Sequence, residues 1–357
     1  MRLDPGLTVL KISEDTVQIG SGSRSTQLSG CSPAALEYLS LLIPGIPDGH
    51  EPDAARRCEL DPAAARTLES TLAPFLRRHE STWPTGAGHA SDVLAEDLAL
   101  SLALDSGPAS APGASPARAT DSAERTAQVF ASRRDLQVQV LGLGRTGAVV
   151  ARVLAASGVG RLALWGDGEV TVADLGTGFL PPDLGRNRSI ALSRRLDDAG
   201  LDTVVLPLTS PTRPRPGGTL TVSVTRGVAD EDYIALARSA DHPVLPVVMR
   251  DDDALIGPWL MPGLGGCPLC WELSARQADP LRLPRSAALA RQGAGCEDVG
   301  LATAAGALAA RQAVRWAETG TVYAGSVLQV HGDGSRVESL AVATHPDCGC
   351  GPVEVAA

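Results

Sequence analysis

Four of the seven cysteines stand in two close pairs with the chemistry of a metal site. Cys267 and Cys270 enclose Pro-Leu, whereas Cys348 and Cys350 enclose a single glycine, one residue fewer than is usual. Four thiolates suit Zn²⁺ in a closed tetrahedral shell, which leaves no position open for substrate. The pairs therefore predict a structural zinc site that ties the C-terminal segment to an earlier loop. The alternative is four unconnected thiols.

The remaining cysteines and one histidine carry weaker signals. Cys296 precedes a helix predicted around 301–316, where a thiol can have a lowered pKa and act as a nucleophile. A small buried residue is the favoured interpretation of Cys296, and Cys31 and Cys58 are expected to be packing residues. His345 could support the metal ligands, but a surface position is favoured.

A glycine-rich segment, Gly142-Leu-Gly-Arg-Thr-Gly147, could cradle a phosphate. It joins an apolar strand predicted at Leu136–Leu141 to a helix predicted at Ala148–Ser157. The first glycine permits a tight turn, the second lets phosphate approach, and the third lets helix and strand pack closely. The candidate cofactor-binding residues are Gly142, Gly144, Arg145, Gly147 and, after the next strand, Asp167.

Further apolar runs alternate with helical segments. Arg161–Trp165, Leu220–Thr225 and Val244–Met249 are predicted strands. Strands that alternate with helices indicate a parallel, doubly wound α/β sheet of Rossmann type.

The N-terminal region has a different pattern, that of a small winged-helix-like α+β unit. Leu7–Ile12, Thr16–Gly20 and Ser25–Gly30 are predicted strands. Helices are predicted to begin at Ser32-Pro33 and Asp61-Pro62, because Ser and Asp cap helices and Pro suits the first turn.

Composition separates the two regions and excludes some functions. A Ser/Pro/Ala-rich segment predicts a linker at 106–126 between domains 1–105 and 127–357. The chain has 357 residues and a net charge of -10. Its sequence contains no basic run, no long apolar span and no signal peptide, so we expect a cytoplasmic protein that binds neither nucleic acid nor membrane.

From Val138 to Leu196 the sequence resembles the ThiF/ubiquitin-activating-enzyme superfamily. The matching text includes Val-Leu-Gly-Leu-Gly-Arg-Thr-Gly and Gly-Glu-Val-Thr-Val-Ala-Asp-Leu, with Gly-Gly-Cys-Pro-Leu-Cys further on. The resemblance implies a Rossmann-like fold with structural zinc. Active members use ATP and Mg²⁺ to adenylate a C-terminal carboxylate.

The residues that perform adenylation in the family are mostly replaced here. Gly166 and Gly168 occupy the two Asp positions, and Asp167 is out of register by one residue, which turns it to the other face of an extended segment. Thr177 replaces the family's arginine. Arg188 replaces its lysine, and Asp230 is the nearest candidate for the metal-binding Asp.

These losses argue against ATP and Mg²⁺ as cofactors. The candidate catalytic residues are weak: Asp167, Arg188 and Cys296. An alignment shifted by one residue, in which Asp167 does hold the ribose, stays open. A Rossmann oxidoreductase is disfavoured, because the acid expected after the second strand is off register.

The N-terminal unit resembles the peptide-clamp domains, or precursor recognition elements, of modified-peptide biosynthesis. Such domains bind a leader peptide as an added strand. The receiving edge would comprise Ser25, Thr26, Gln27, Leu28 and Ser29. A plain winged-helix docking or dimerisation unit is the alternative.

A clamp fused to a ThiF-like domain resembles leader-binding proteins of azol(in)e-forming pathways. The resemblance implies a non-catalytic scaffold that presents a leader peptide to a partner such as a YcaO-type cyclodehydratase. We also expect a homodimer. The alternative function is an ATP-dependent adenylyltransferase.

Overall fold

The computed structural model describes residues 1–3, 9–19, 26–77, 128–279, 281–283, 286 and 297–350. The chain divides into two compact units, Met1–Phe130 and Ala131–Ala357. The predicted linker at 106–126, Ser25 and Cys296 lie outside the described residues, so what was inferred for them stays a prediction. No described helix is both long and apolar enough to cross a membrane.

The first unit is a small α+β structure, as the sequence indicated. Its antiparallel three-stranded sheet has the order β2-β3-β4, and β1 pairs separately with β5. Ser32 and Asp61 cap their helices as predicted, accepting hydrogen bonds from first-turn backbone N–H groups. The elements are β1 (Arg2–Leu3), β2 (Val9–Lys11), β3 (Val17–Ile19), β4 (Thr26–Leu28), α1 (Pro33–Leu42), α2 (Glu51–Arg57), α3 (Pro62–Leu72), a 3-10 turn (Ala73–Phe75) and β5 (Leu76–Arg77).

Two features of this unit, helix α2 and the pairing of β1 with β5, were not predicted from the sequence. Helix α2 begins after His50, whose side chain forms no capping hydrogen bond, so no cap residue marks its start. The pairing of β1 with β5 joins segments far apart in the chain. Both are held by the unit's core, which includes Leu3, Ile19 and Tyr38.

The second unit is built on an eight-stranded sheet, preceded by helical residues 128–135. Its strands are β6 (Gln137–Leu141), β7 (Arg161–Trp165), β8 (Val204–Leu208), β9 (Leu220–Arg226), β10 (Val244–Met249), β11 (Asp253–Ile256), β12 (Ser326–His331) and β13 (Val337–Ala341). Its helices are α4 (Arg145–Ala156), α5 (Arg188–Asp198), α6 (Glu231–Ser239), α7 (Pro268–Ala278) and α8 (Val299–Thr319), with 3-10 turns at Val172–Asp174 and Pro181–Asp183.

The strand order is β13-β12-β11-β10-β9-β6-β7-β8. The five strands from β10 to β8 are parallel, and their order is that of a Rossmann sheet whose connections reverse direction between β6 and β9. The other three join in antiparallel fashion, so the expectation of a wholly parallel sheet was incomplete. The β10–β11 and β12–β13 connections are short, as antiparallel neighbours allow, whereas α7 and α8 lie between β11 and β12.

Both faces of the sheet are covered by helices. Helices α4, α5 and α8 contribute to one apolar core, and α6 and α7 contribute to the other. Strand β10 is buried along its whole length and supplies alternate side chains to the two cores. Such a continuous apolar run is typical of a central parallel strand.

Candidate functional site

The glycine-rich loop adopts the tight turn that its spacing predicts. Gly142 has φ +83, and a Cβ built there would meet the Val224 carbonyl oxygen at 2.1 Å. A Cβ on Gly147 would meet the Gly142 carbonyl oxygen at 1.9 Å. Helix α4 begins at Arg145, earlier than the predicted Ala148, because the loop leads directly into its first turn. The first backbone N–H groups of α4 therefore face the carboxyl ends of the strands.

A cavity of about 260 Å³ lies beside this loop, where the strand order reverses between β6 and β9. Ligands of open α/β sheets commonly bind at this position. Of the predicted cofactor-binding residues, all but Gly147 line this cavity. Gly147 packs against the Gly142 carbonyl oxygen within the loop. The cavity lining includes Gly142, Gly144, Arg145, Trp165, Asp167, Asp174, Arg188, Arg213, Thr225, Arg226 and Glu297.

Asp167 reaches this cavity, contrary to the expectation that its register turns it away. Strand β7 ends at Trp165, and Gly168 has a positive φ of 73. The segment is therefore a turn, to which the two-residue alternation of an extended strand does not apply. The Asp167 side chain is 83% exposed and lies 3.9 Å from Arg188 Nη1. Asp167 is placed where it could contact a ligand.

Arg188, the candidate phosphate-binding cation, is already occupied by an acid. Its Nε and Nη2 donate to Asp174 Oδ2 at 3.2 and 2.9 Å, and its Nη1 donates to the Asp167 carbonyl oxygen at 2.6 Å. Asp174 is buried and also accepts hydrogen bonds from the Thr171 backbone N–H and hydroxyl. The pair neutralises the charge that Arg188 would offer to a phosphate.

Two further arginines line the cavity and are likewise bound. Arg213 forms an ion pair with Asp230 and lies over the Trp165 ring at 5.5 Å. Arg226 donates to Asp251 Oδ1 at 3.2 Å. Sequence reasoning did not single out either arginine, because their partners follow other strands.

Asp230 was the nearest candidate for the family's metal-binding acid, and its surroundings do not fit that role. Its Oδ1 accepts the backbone N–H of Tyr233 at 3.0 Å and caps helix α6. Its other oxygen faces Arg213. A carboxylate held by a helix cap and a guanidinium is poorly available to Mg²⁺, and the end of β9 itself carries Thr225 and Arg226.

Glu297 is a site residue that sequence reasoning missed. Its Oε2 accepts hydrogen bonds from the Thr146 backbone N–H and hydroxyl, both at 2.7 Å. Its backbone carbonyl accepts from Arg145 Nη1 at 2.5 Å. The carboxylate therefore lies at the N-terminus of α4, inside the glycine-rich loop. In the sequence, Glu297 was marked only by its position next to Asp298, the residue that caps α8, and this gave no reason to place it in the loop.

The two cysteine pairs meet in a second, separate site. The four sulfurs all lie within 4.8 Å of one another. Cys267 Sγ is 3.4 Å from Cys348 Sγ, and Cys270 Sγ is 3.2 Å from Cys350 Sγ. A tetrahedral ion with metal–sulfur bonds of about 2.3 Å requires sulfurs about 3.8 Å apart. This buried cluster is suited to hold a metal ion.

Local geometry explains how the short Cys348–Cys350 pair fits. Gly349 between them has φ +63, a left-handed conformation that glycine adopts readily. The resulting turn lets both cysteines face the Cys267 pair, so the one-residue gap does not prevent convergence.

The pKa values of the cluster thiols shift in opposite directions: burial raises those of Cys267 and Cys348, whereas the pKa of Cys270 is lowered. Burial raises the pKa of Cys267 to about 11. Burial acts in the same direction on Cys270, but hydrogen bonds from the His345 backbone N–H and neighbouring thiols lower its pKa to about 7. Arg238 Nη1 lies 4.0 Å from Cys348 Sγ. His345 is buried, so the expected surface position was wrong, and its backbone supports the cluster.

The other two cysteines differ in burial. Cys58 lies in the core of the first unit, which agrees with a packing role, and burial raises its pKa. Cys31 is half-buried.

The candidate peptide-binding edge is strand β4. Among the described residues, Thr26, Gln27 and Leu28 pair only with β3, which leaves β4 at the edge of its sheet. Gln27 is exposed, and its Nε2 donates to Ser29 Oγ at 3.3 Å. The geometry is compatible with addition of a fourth strand.

Known proteins with a similar sequence profile or a similar fold were found for this chain. The ThiF family profile matches residues 126–237. No curated protein sequence matches the chain. E. coli MccB in complex with MccA-N7isoAsn has a TM-score of 0.68 and 14% identity, with 98% of each chain covered.

Two further solved structures are similar over nearly the whole length. E. coli MccB with ATP has a TM-score of 0.66 and 15% identity, with 98% of each chain covered. PaaA has a TM-score of 0.64 and 14% identity, covering 95% of this chain and 99% of its own. At these identities the similarity establishes the fold alone. The chain thus has the fold of MccB and PaaA, and its residues 126–237 match the ThiF family model.

Proposed function

We propose that this chain is a peptide-binding protein whose ThiF domain serves as a scaffold and does not adenylate its ligand. The first unit binds a leader peptide on the edge of β4, and the chain presents that peptide to a separate modifying enzyme. The observation that carries the proposal is the buried ion pair between Arg188 and Asp174 in the cavity of the ThiF domain.

The ion pair matters because phosphoryl chemistry depends on positioned cations and a metal ion. Asp174 cancels the charge of Arg188, and Asp230 does the same for Arg213. Releasing Arg188 would leave the buried Asp174 carboxylate without its charged partner, which is costly. A triphosphate entering this cavity would therefore compete with acids that the protein itself supplies.

Peptide binding is supported from two directions. MccB, whose fold this chain shares, has been solved in complex with MccA. Strand β4 offers an edge on which main-chain hydrogen bonds could hold an extended peptide in register. A structural Zn²⁺ in the four-cysteine cluster would stabilise the ThiF domain without taking part in chemistry.

Calorimetry with the full chain tests the proposal. The probe is a synthetic peptide covering the N-terminal segment of a precursor peptide encoded beside this chain. Proline is introduced at Thr26 or at Gln27, because successive backbone N–H groups of a strand point to opposite edges. We expect one variant to lose peptide binding while it still melts like the wild type. Gln27→Ala, which keeps the backbone N–H, is the matched control and should bind normally.

Two results would contradict this view. One is that the wild-type chain binds none of the neighbouring precursor peptides. The other is that both proline variants remain folded and bind like the wild type.

Adenylation remains a second candidate because Asp167 lines the cavity. Its test is ATP–pyrophosphate exchange in the presence of Mg²⁺ and a candidate peptide. Exchange by the wild type that is lost in Asp167→Asn would establish adenylation and refute the scaffold proposal. No exchange by the wild type would support the scaffold.

A further inference from the structure

The N-terminus of α4 already holds an anion, and that anion belongs to the protein. The Glu297 carboxylate receives two hydrogen bonds of 2.7 Å from Thr146, one from the backbone and one from the hydroxyl. Backbone N–H groups at a helix N-terminus and the helix dipole together favour negative charge at this position.

An independent feature of the loop points to the same occupant. A Cβ built on Gly144 would lie 2.9 Å from Glu297 Oε1. The space that any larger residue would fill at position 144 is thus taken by the carboxylate. In a phosphate-binding loop, the second glycine leaves that space for the ligand.

We propose that Glu297 is a built-in anion that occupies the phosphate position of the glycine-rich loop and thereby excludes phosphate ligands from it. Glu297 is thus a specificity-determining residue of this cavity. The inference deepens the proposed function, since it supplies the reason why the ThiF domain acts as a scaffold, but it does not depend on peptide binding.

The exclusion has a steric and an electrostatic part. A phosphate oxygen cannot accept the Thr146 N–H while Glu297 Oε2 accepts it, because a backbone amide has one hydrogen. A phosphate that bound beside the carboxylate would meet a like charge within a few ångströms in a partly desolvated cavity. The tie from Arg145 to the Glu297 carbonyl oxygen also holds the acid in place.

Titration calorimetry of the full chain with inorganic pyrophosphate tests this inference. Glu297→Ala removes both the bulk and the charge and should bind pyrophosphate about tenfold more tightly than the wild type, or better. Glu297→Gln keeps a hydrogen-bond acceptor without charge and should fall between them. Asp198→Asn is the control, since it removes one exposed negative charge from α5 of the same unit and should leave affinity unchanged.

Each outcome is interpretable once thermal melting shows that the variants are folded. The inference is overturned if Glu297→Ala binds pyrophosphate no more tightly than the wild type. It is also overturned if Asp198→Asn gains as much, because net charge would then explain the effect. Leader-peptide binding is measured on the same samples, and its absence would refute only the proposed function.

Discussion

Arg238 gives the sharpest test of how the protein stabilises its cysteine cluster. A divalent ion with four thiolates carries a net negative charge, and the Arg238 guanidinium lies 4.0 Å from Cys348 Sγ. At an effective dielectric constant of about 20, two unit charges at that distance attract by about 4 kcal/mol. Arg238 is half-buried, so solvent screening reduces its contribution to about 1–2 kcal/mol.

Replacing Arg238 by Met keeps most of the side-chain volume and removes the charge. Because about 1.4 kcal/mol corresponds to a factor of ten, metal affinity should fall about tenfold. Mutation of a residue that contacts a metal ligand typically lowers metal affinity about 10–100-fold, and the expected tenfold loss falls at the lower end of that range. The assay is Co²⁺ binding, followed by its thiolate absorption bands in competition with a chelator of known affinity.

Two controls separate charge from packing. Arg238→Lys retains the charge and should keep most of the affinity, whereas Arg194→Met removes an exposed arginine from α5 and should have no effect. Equal Co²⁺ affinity in Arg238→Met and the wild type would refute the electrostatic reasoning. Failure of the wild type to bind Co²⁺ or Zn²⁺ at all would refute the metal site itself.

Two more predictions concern stability of the second unit. Arg133→Met should cost up to about 3 kcal/mol in urea unfolding, because the fully buried Glu318 side chain loses its closest ion-pair partner and keeps the longer contact with Arg311, at 3.6 Å. The double variant Arg133→Met/Glu318→Met should recover much of this loss, and no recovery would contradict the argument. The hydrogen bond from Arg195 lowers the pKa of Asp183 in the folded state, so this carboxylate stabilises the fold above its unfolded pKa of about 4. Asp183→Asn should therefore be destabilising at pH 7, with a difference that shrinks as the pH falls below 4; a difference independent of pH would rule this out.

Features determined by neighbouring residues were largely predicted from the sequence. The caps at Ser32 and Asp61 depend on hydrogen bonds within a few residues, and both helices begin where expected. Strands β7 and β10 have the predicted bounds, because apolar runs of that length pack in a central parallel sheet. The glycine-rich loop is also local, since its spacing alone imposes the turn.

Features determined by partners distant in the chain were missed or misjudged. Sequence alternation turned Asp167 away from the cavity, but the chain turns after β7, Arg188 donates a hydrogen bond to the Asp167 carbonyl oxygen, and Asp167 lines the cavity. The burial of His345 followed from the convergence of two distant cysteine pairs. In both cases the position of the residue depends on a contact with a distant segment: Arg188 for Asp167, and Cys270 for His345. Patterns of neighbouring residues carry no information about such contacts.

The sequence by itself thus determined the Rossmann frame, the glycine-rich loop and the identity of the four cysteines, because each depends on short-range spacing. Only the tertiary structure decided how the loop is filled. Glu297 accepts a hydrogen bond from Thr146, which lies 151 residues earlier in the chain. Asp174 pairs with Arg188, 14 residues further along the chain. Charge neutralisation is a property of positions in space, so a chain whose loop predicts phosphate binding can carry its own anion there.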